Sequence, residues 1–246
     1  MPPKIRHVAI GDWLSAAASA ASGSGRELCP ACGQAMTARR WVAMTGERFC
    51  DRHSGQAPCA LCAMPSDAPG LAIDLCRRCA ATSIRTRADI MRELPGMKQQ
   101  LAVLGIRTVR PVRVQLAPAE ELSRTAGGHV LGATLYRGTN VINIFVLQDL
   151  PLLKFGTTVA HEVMHSYMAQ NDFGQVPSRV AEGLCQLLAY AWIMRQDGML
   201  ATAERRQIAE NPDPIYGDGF RQAHQAARRV GVRRTIATVK EQHRFP

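Results

Sequence analysis

Seven of the chain's eight cysteines fall between Cys29 and Cys79, and every one belongs to a Cys-x-x-Cys or Cys-x-x-His pair. Thiolates at that spacing reach one ion from a single tight turn, and such pairs chelate zinc far more often than they mark a disulfide scaffold. In chain order the pairs sort into two sets of four. The first is Cys29, Cys32, Cys50 and His53; the second is Cys59, Cys62, Cys76 and Cys79. Each set fills a tetrahedral shell with no position left for water, so both are read as structural zinc sites. A stretch this short has too little apolar surface to fold alone, and the metals supply much of its folding energy. A hairpin turning at Gly46 is expected between Cys32 and Cys50, and a second, Pro/Gly-bearing one between Cys62 and Cys76. The resulting boundaries are a zinc module at 27–82, a tail at 1–26 rich in Ala, Ser and Gly, and a second domain at 83–246. The tail is expected to be a short helix followed by flexible chain, with no export signal. Reduced, metal-bound cysteines point to a cytoplasmic protein.

The second domain carries Ala160-His161-Glu162-Val163-Met164-His165. On a helix, residues four apart lie on one face, so His161 and His165 present both imidazoles to one metal, with Glu162 beside them as general base. Sixteen residues separate Glu182 from His165, among them a turn-rich segment at 170–178 in which Ser178 is the expected N-cap. Two histidines and a carboxylate with one open position form a catalytic zinc set. Gly183 is expected to let these two helices approach closely, offsetting roughly 1 kcal/mol of lost helix propensity. Cys185 reads as a buried core cysteine.

Around the motif, helices are expected from Ala80 to Leu94 and on to Leu104, with a break at Pro95-Gly96. Strands are expected at 112–116, 133–136 and 141–147, with turns at Gly127-Gly128 and Gly138. A Pro/Gly-rich loop at 211–220 precedes helices at 220–229 and 233–242. The fold class is therefore α+β: a zincin-like metallopeptidase domain, with a small antiparallel sheet and active-site helices, preceded by the double zinc module. An edge strand of such a sheet can pair with an extended substrate backbone.

The formal net charge is +10. Seven metal-bound thiolates and two dications bring it to about +7. Most of the excess lies in residues 221–246, with only Phe220 and Phe245 nearby as aromatics. Without interleaved aromatics to stack bases, nucleic acid is not the expected partner. No apolar run approaches the roughly 18 residues of a membrane span.

Three blocks in one order carry a family resemblance: Leu150-Pro151 with Ala160–His165, then Glu182-Gly183-Leu184-Cys185-Gln186, then Tyr216-Gly217-Asp218-Gly219-Phe220-Arg221. Together with the zinc module they resemble the DA-one-like family, the LIM-domain, ubiquitin-activated metallopeptidases of plants. The resemblance implies that His161, His165 and Glu182 hold catalytic zinc and that Glu162 is the general base. It implies one catalytic and two structural zinc ions per chain and a protein or peptide substrate. Here the first site closes as Cys50-x-x-His53 and five residues separate it from the second, so LIM-type partner recognition is not carried over. Ubiquitin activation is not carried over either.

The expected reaction is endopeptidase cleavage. Glu162 accepts a proton from zinc-activated water as it attacks the carbonyl, then returns it to the leaving amine. Tyr216, in the glycine-flexed loop, is the candidate donor to the developing oxyanion, ahead of Tyr167 and His224. Asp218 is read either as a carboxylate orienting a ligand histidine or as a helix cap. The alternative function is a zinc-module adaptor that binds protein or nucleic acid beside an inactive peptidase-like domain.

Overall fold

The computed structural model describes residues 4–9, 18–19, 27–126 and 130–246, and of 4–9 and 18–19 the backbone only. The chain begins with two short strands, β1 (Lys4–Ala9) and β2 (Ala18–Ser19). Thus the segment expected to be a short helix and flexible tail contributes a strand to each of the two sheets among the described residues. The expected turn at Gly127-Gly128 lies outside the described residues.

In the cysteine-rich stretch, β3 (Arg40–Val42) and β4 (Arg48–Cys50) form the hairpin about Gly46, whose φ of +84° suits glycine. β2 extends it to three strands. The two Cys-x-x-Cys turns share a backbone plan. Gly33 donates to the Cys29 carbonyl, Ala63 donates to that of Cys59, and both turn residues have positive φ. The one-turn helix α1 (Arg77–Ala80) carries Cys79.

Next comes α2 (Arg87–Val103), begun by a capping box in which Thr86 and Asp89 satisfy each other's backbone N–H groups. It differs from the expected helix at 80–94 and break at Pro95. The cap sets the start at Arg87, and the helix runs through Pro95. An interior proline costs about 3 kcal/mol, yet Ile90, Met97 and Leu101 are buried on both sides of it against the main core, and that burial holds the helix together.

Strand β5 (Val114–Ala117) leads through α3 (Ala119–Ala126) to the hairpin of β6 (Val130–Arg137) and β7 (Asn140–Leu147). The sheet order is β1-β6-β7-β5. Because β5 runs parallel to β7, the sheet is mixed and not purely antiparallel as expected. The hairpin strands are internal, and the edges belong to β1 and β5.

Five helices complete the chain: α4 (Leu152–Gln170), α5 (Ser178–Ile193), α6 (Met199–Ala209), α7 (Tyr216–Val230) and α8 (Val232–Gln242). α4 packs on β6, β7 and β1, and α5 packs on both α4 and α7. The core between them holds Ile144, Leu147, Leu150, Phe155, Leu184 and Ile193, all essentially inaccessible. α5 begins at Ser178 itself, behind Pro177, with no side-chain cap. α7 starts four residues earlier than expected, because Asp213 Oδ1 accepts the N–H groups of Ile215 and Tyr216 and so caps its first turn.

The glycines explain the close helix packing, with a different pairing from the expected one. A Cβ on Gly156 of α4 would lie 2.0 Å from the Trp192 ring of α5, so the α4–α5 approach is made there. Gly183 faces α7 instead: its Cβ would lie 2.4 Å from the carbonyl oxygen of Gly219. Gly183→Ala is therefore expected to lower stability by about 3 kcal/mol, since the obstacle is backbone. Gly96→Ala in α2, where no heavy atom lies within 4 Å of the new Cβ, is expected to raise it by about 1 kcal/mol. Urea unfolding of both variants reads this directly. Equal effects would mean that the α5–α7 contact is looser than described.

The cysteine-rich stretch is joined to the helical part through backbone and side chains. Ile84 N–H donates to Leu150 O at 2.9 Å, and Leu152 N–H to Thr82 O at 2.9 Å. Gln207 of α6 donates to Leu61 O at 3.0 Å and accepts from Lys154 of α4 at 2.6 Å. Lys154 also forms a buried ion pair with Glu204 at 2.6 Å.

Candidate metal centres

Three groups among the described residues gather four metal-capable atoms within 4.8 Å of one another. The first is Cys29, Cys32, Cys50 and His53. Its sulfurs of Cys32 and Cys50 lie 3.8 Å apart. Gln56 takes up His53 Nδ1 at 3.0 Å, while His53 Nε2 is buried without a hydrogen-bond partner. A partner on one ring nitrogen and a bare, buried second one is the arrangement of a metal-binding imidazole. The Gln34 backbone, then the neighbouring His53 ring and, more weakly, the Arg52 guanidinium stabilise the thiolate and bring the Cys32 thiol down to about 6.

The second group is Cys59, Cys62, Cys76 and Cys79, all buried. Cys62 Sγ lies 3.7 Å from that of Cys76 and 3.6 Å from that of Cys79. Sulfurs bound 2.3 Å from a tetrahedral zinc sit about 3.8 Å apart. The observed spacings suit that ion and are far too long for disulfide bonds.

The third group is His161, His165, Glu182 and Cys185. His161 and His165 are one helical turn apart on α4, and Glu182 is in the second turn of α5. His161 Nε2 lies 3.2 Å from His165 Nε2 and 3.1 Å from Glu182 Oε2; His165 Nε2 is 3.3 Å from the same oxygen. Nitrogen and oxygen ligands at 2.0–2.1 Å from a tetrahedral centre are roughly 3.3 Å apart. The donor set therefore fits one small, nitrogen- and oxygen-preferring dication such as zinc. All three residues are at most 5% exposed. Burial by itself lifts the Glu182 carboxyl, but the charges and hydrogen bonds of His165 and His161 outweigh it and hold the group below the usual carboxylate range.

Glu162 is fully buried next to this set. Its Oε2 accepts from Thr134 Oγ1 at 2.6 Å, and the same hydroxyl lies 3.1 Å from the Glu162 carbonyl. Its Oε1 has no hydrogen-bond partner among the described residues. Burial pushes the carboxyl well above its ordinary value; the Thr134 bond works against this and the Glu182 charge adds to it. Gly132, two residues before Thr134 on the same face of β6, makes the room: a Cβ there would lie 3.2 Å from Glu162 Oε1.

Of the remaining expected residues, Tyr216 is close. Its ring centroid is 6.3 Å from that of His161, and the Asp213 cap holds it at the start of α7. Tyr167 instead packs on Phe173, and His224 stacks on Phe220 beside Tyr190. Asp218 pairs with Arg221 and neither orients a ligand histidine nor caps the helix. Cys185 is more than a core residue, since its Sγ lies 3.4 Å from His165 Nδ1, the nitrogen facing away from the metal set. Its place three residues after Glu182 puts both on one helix face, a signal present in the sequence. Thr134 and Gly132 had no such signal, because nothing local ties a strand residue to a helix 28 residues on.

No described helix is long and apolar enough to cross a membrane. No solved structure matches the chain. Among curated proteins, Protein DA1-related 2 of Arabidopsis thaliana is 30% identical over 157 residues, covering 50% of this chain and 30% of that one. Protein DA1 of the same plant is 30% identical over 140 residues, 46% of this chain and 26% of its own. LIM domain-containing protein HDR3 of Oryza sativa subsp. japonica is 26% identical over 148 residues, 46% of this chain and 30% of that protein. The matched stretches thus span less than a third of those relatives' length. The model of the DA1-like family, described as Protein DA1, matches residues 106–205 and 195–242. That span is more than half of the chain and contains the His161, His165 and Glu182 cluster, and on it the chain belongs to the DA1-like family.

Proposed function

We propose that the chain is a zinc-dependent endopeptidase acting on protein or peptide substrates, with a zincin-like catalytic domain at 83–246 and a LIM-like double zinc module at 27–82. The observation that carries the reading is the convergence of His161 Nε2, His165 Nε2 and Glu182 Oε2 to within 3.3 Å of one another, beside a buried Glu162. Two further zinc ions would sit on Cys29, Cys32, Cys50 and His53, and on Cys59, Cys62, Cys76 and Cys79, with structural roles.

When bound at the third set, zinc supplies a Lewis acid and lowers the pKa of a water toward about 7. The chain's residues do the rest. His161, His165 and Glu182 hold the ion, and Cys185 fixes the ring of His165 through Nδ1. Glu162 takes up a proton at its carboxylate and delivers it to the leaving amine. The Thr134 bond keeps it aimed, and burial raises its proton affinity above that of an ordinary carboxyl, which favours proton uptake. Tyr216 donates its phenol hydrogen toward the carbonyl oxygen as charge develops there.

Elemental analysis together with proteolysis of an unfolded protein such as casein tests this. The wild type is expected to carry three zinc ions per chain and to cleave. A His161→Ala/His165→Ala variant should carry two and be inert. Two zinc ions in both proteins, unchanged by added zinc and without cleavage, would sink the reading and favour an adaptor built on the cysteine-rich module.

A further inference from the structure

The far edge of the main sheet presents a feature that the metal chemistry does not use. A groove of about 970 Å³ runs between α2 and strand β5. Arg113, Arg87 and Lys98 line it, with Glu121 the one carboxylate among its lining residues. The side chains of those three make no hydrogen bond or ion pair among the described residues. The acids nearest them on α2 are already engaged: Asp89 holds the helix N-terminus and Arg92, and Glu93 pairs with Arg92. Arg85, at the groove's end, is tied to Asp149 and to the Ala80 carbonyl. With Glu121 the one carboxylate set against Arg113, Arg87 and Lys98, the groove keeps a net positive charge.

Its floor is apolar. Met91 is 66% exposed, and Leu94, Phe145, Val114 and Leu116 are half-buried around it. Its wall is an open strand edge. Ile144 N–H bonds to Arg113 O and Gln148 N–H to Ala117 O, so the odd-numbered residues of β5 face β7. By alternation, the N–H and C=O groups of Val114 and Leu116 point into the groove. No backbone bond among the described residues reaches them.

We propose that this groove is a docking site for an extended, acidic polypeptide segment, which adds as a strand to β5. Main-chain bonds to Val114 and Leu116 would set its register. Carboxylates would meet Arg87, Lys98 and Arg113, and apolar side chains at alternate positions would cover Met91 and Phe145. Charge complementarity selects an acidic occupant, and the open strand edge selects a polypeptide. A nucleic acid would share the cations, but with Phe145 as its one aromatic the floor has no array on which bases stack. The site does not depend on peptidase activity. β5 is an edge strand, separated by β7 from β6, the strand that touches Glu162.

The test is fluorescence anisotropy of a labelled, end-capped octapeptide alternating Glu and Val, titrated with the full zinc-loaded chain, beside a Gln/Val peptide and a single-stranded oligonucleotide. Saturable binding of the acidic peptide is expected, weakening with salt. A Lys98→Glu/Arg113→Glu variant should weaken it at least about tenfold, as should replacing Glu by Gln in the peptide. Leu116→Pro removes one outward N–H while leaving the β7 ladder intact, and should also weaken binding about tenfold. Circular dichroism and zinc content check that both variants fold. Absence of saturable binding would overturn the proposal, as would equal binding by wild type and both folded variants. Tight oligonucleotide binding, lost on charge reversal while the peptide stays unbound, would overturn it in favour of nucleic acid.

Discussion

Replacing Glu162 with Gln is expected to lower kcat/KM for peptide cleavage by about 10²–10⁴-fold, the range typical of a lost general acid–base group. Zinc content should stay unchanged. The substitution is nearly isosteric, and the amide oxygen can still accept from Thr134 Oγ1, which now bonds Oε2 at 2.6 Å. Space is tight but sufficient, since Gly132 leaves room beside Oε1. What the amide lacks is a site that takes up and releases a proton, and the raised proton affinity of the buried carboxyl is lost with it. Initial rates on one peptide substrate, with elemental analysis of the same preparation, read both halves. Activity above about a tenth of wild type, with zinc retained, would rule out Glu162 as the proton carrier.

Cys76→Ser is expected to empty the second cysteine cluster and unfold the stretch built around it. Structural zinc sites contribute on the order of 10–16 kcal/mol of binding free energy to small metal-dependent modules. The residues packed on this cluster, among them Leu61, Leu75 and Phe49, form a core separate from that of the helical part and too small to hold alone. Zinc content should fall by about one ion per chain. Hydrogen exchange at Ala63 and Ala80, whose N–H groups bond to the Cys59 and Cys76 carbonyls, should accelerate toward unprotected rates. Because Gln207 joins Leu61 to Lys154 of α4, loosening should also reach the start of the helix that carries His161. Unchanged exchange in the face of lost zinc would mean that packing, not metal, holds this stretch.

What was readable in advance follows a physical division. Each ligand pair is set by short-range geometry. A Cys-x-x-Cys turn closes within five residues, and His161 and His165 meet because a helix repeats every 3.6 residues. The residue order alone therefore determined all three metal-capable clusters, the hairpin about Gly46 and the strands on either side of Gly138. Even Glu182 was within reach, since a turn between two helices brings the second back along the first.

The tertiary structure decided what depends on distant partners. Residues 4–9 look like any short basic segment until the outer side of β6 receives them as a strand. Pro95 signals a break, and only the buried faces of Ile90, Met97 and Leu101 keep α2 whole. Gly183 announces a close approach but not its partner, which proved to be Gly219 of α7. The support of Glu162 by Thr134 and Gly132, and the cationic groove along β5, each join surfaces far apart in the chain. Local propensity carries no term for such contacts. They exist only after the sheet and helices have packed, because that packing brings the partners to bonding distance.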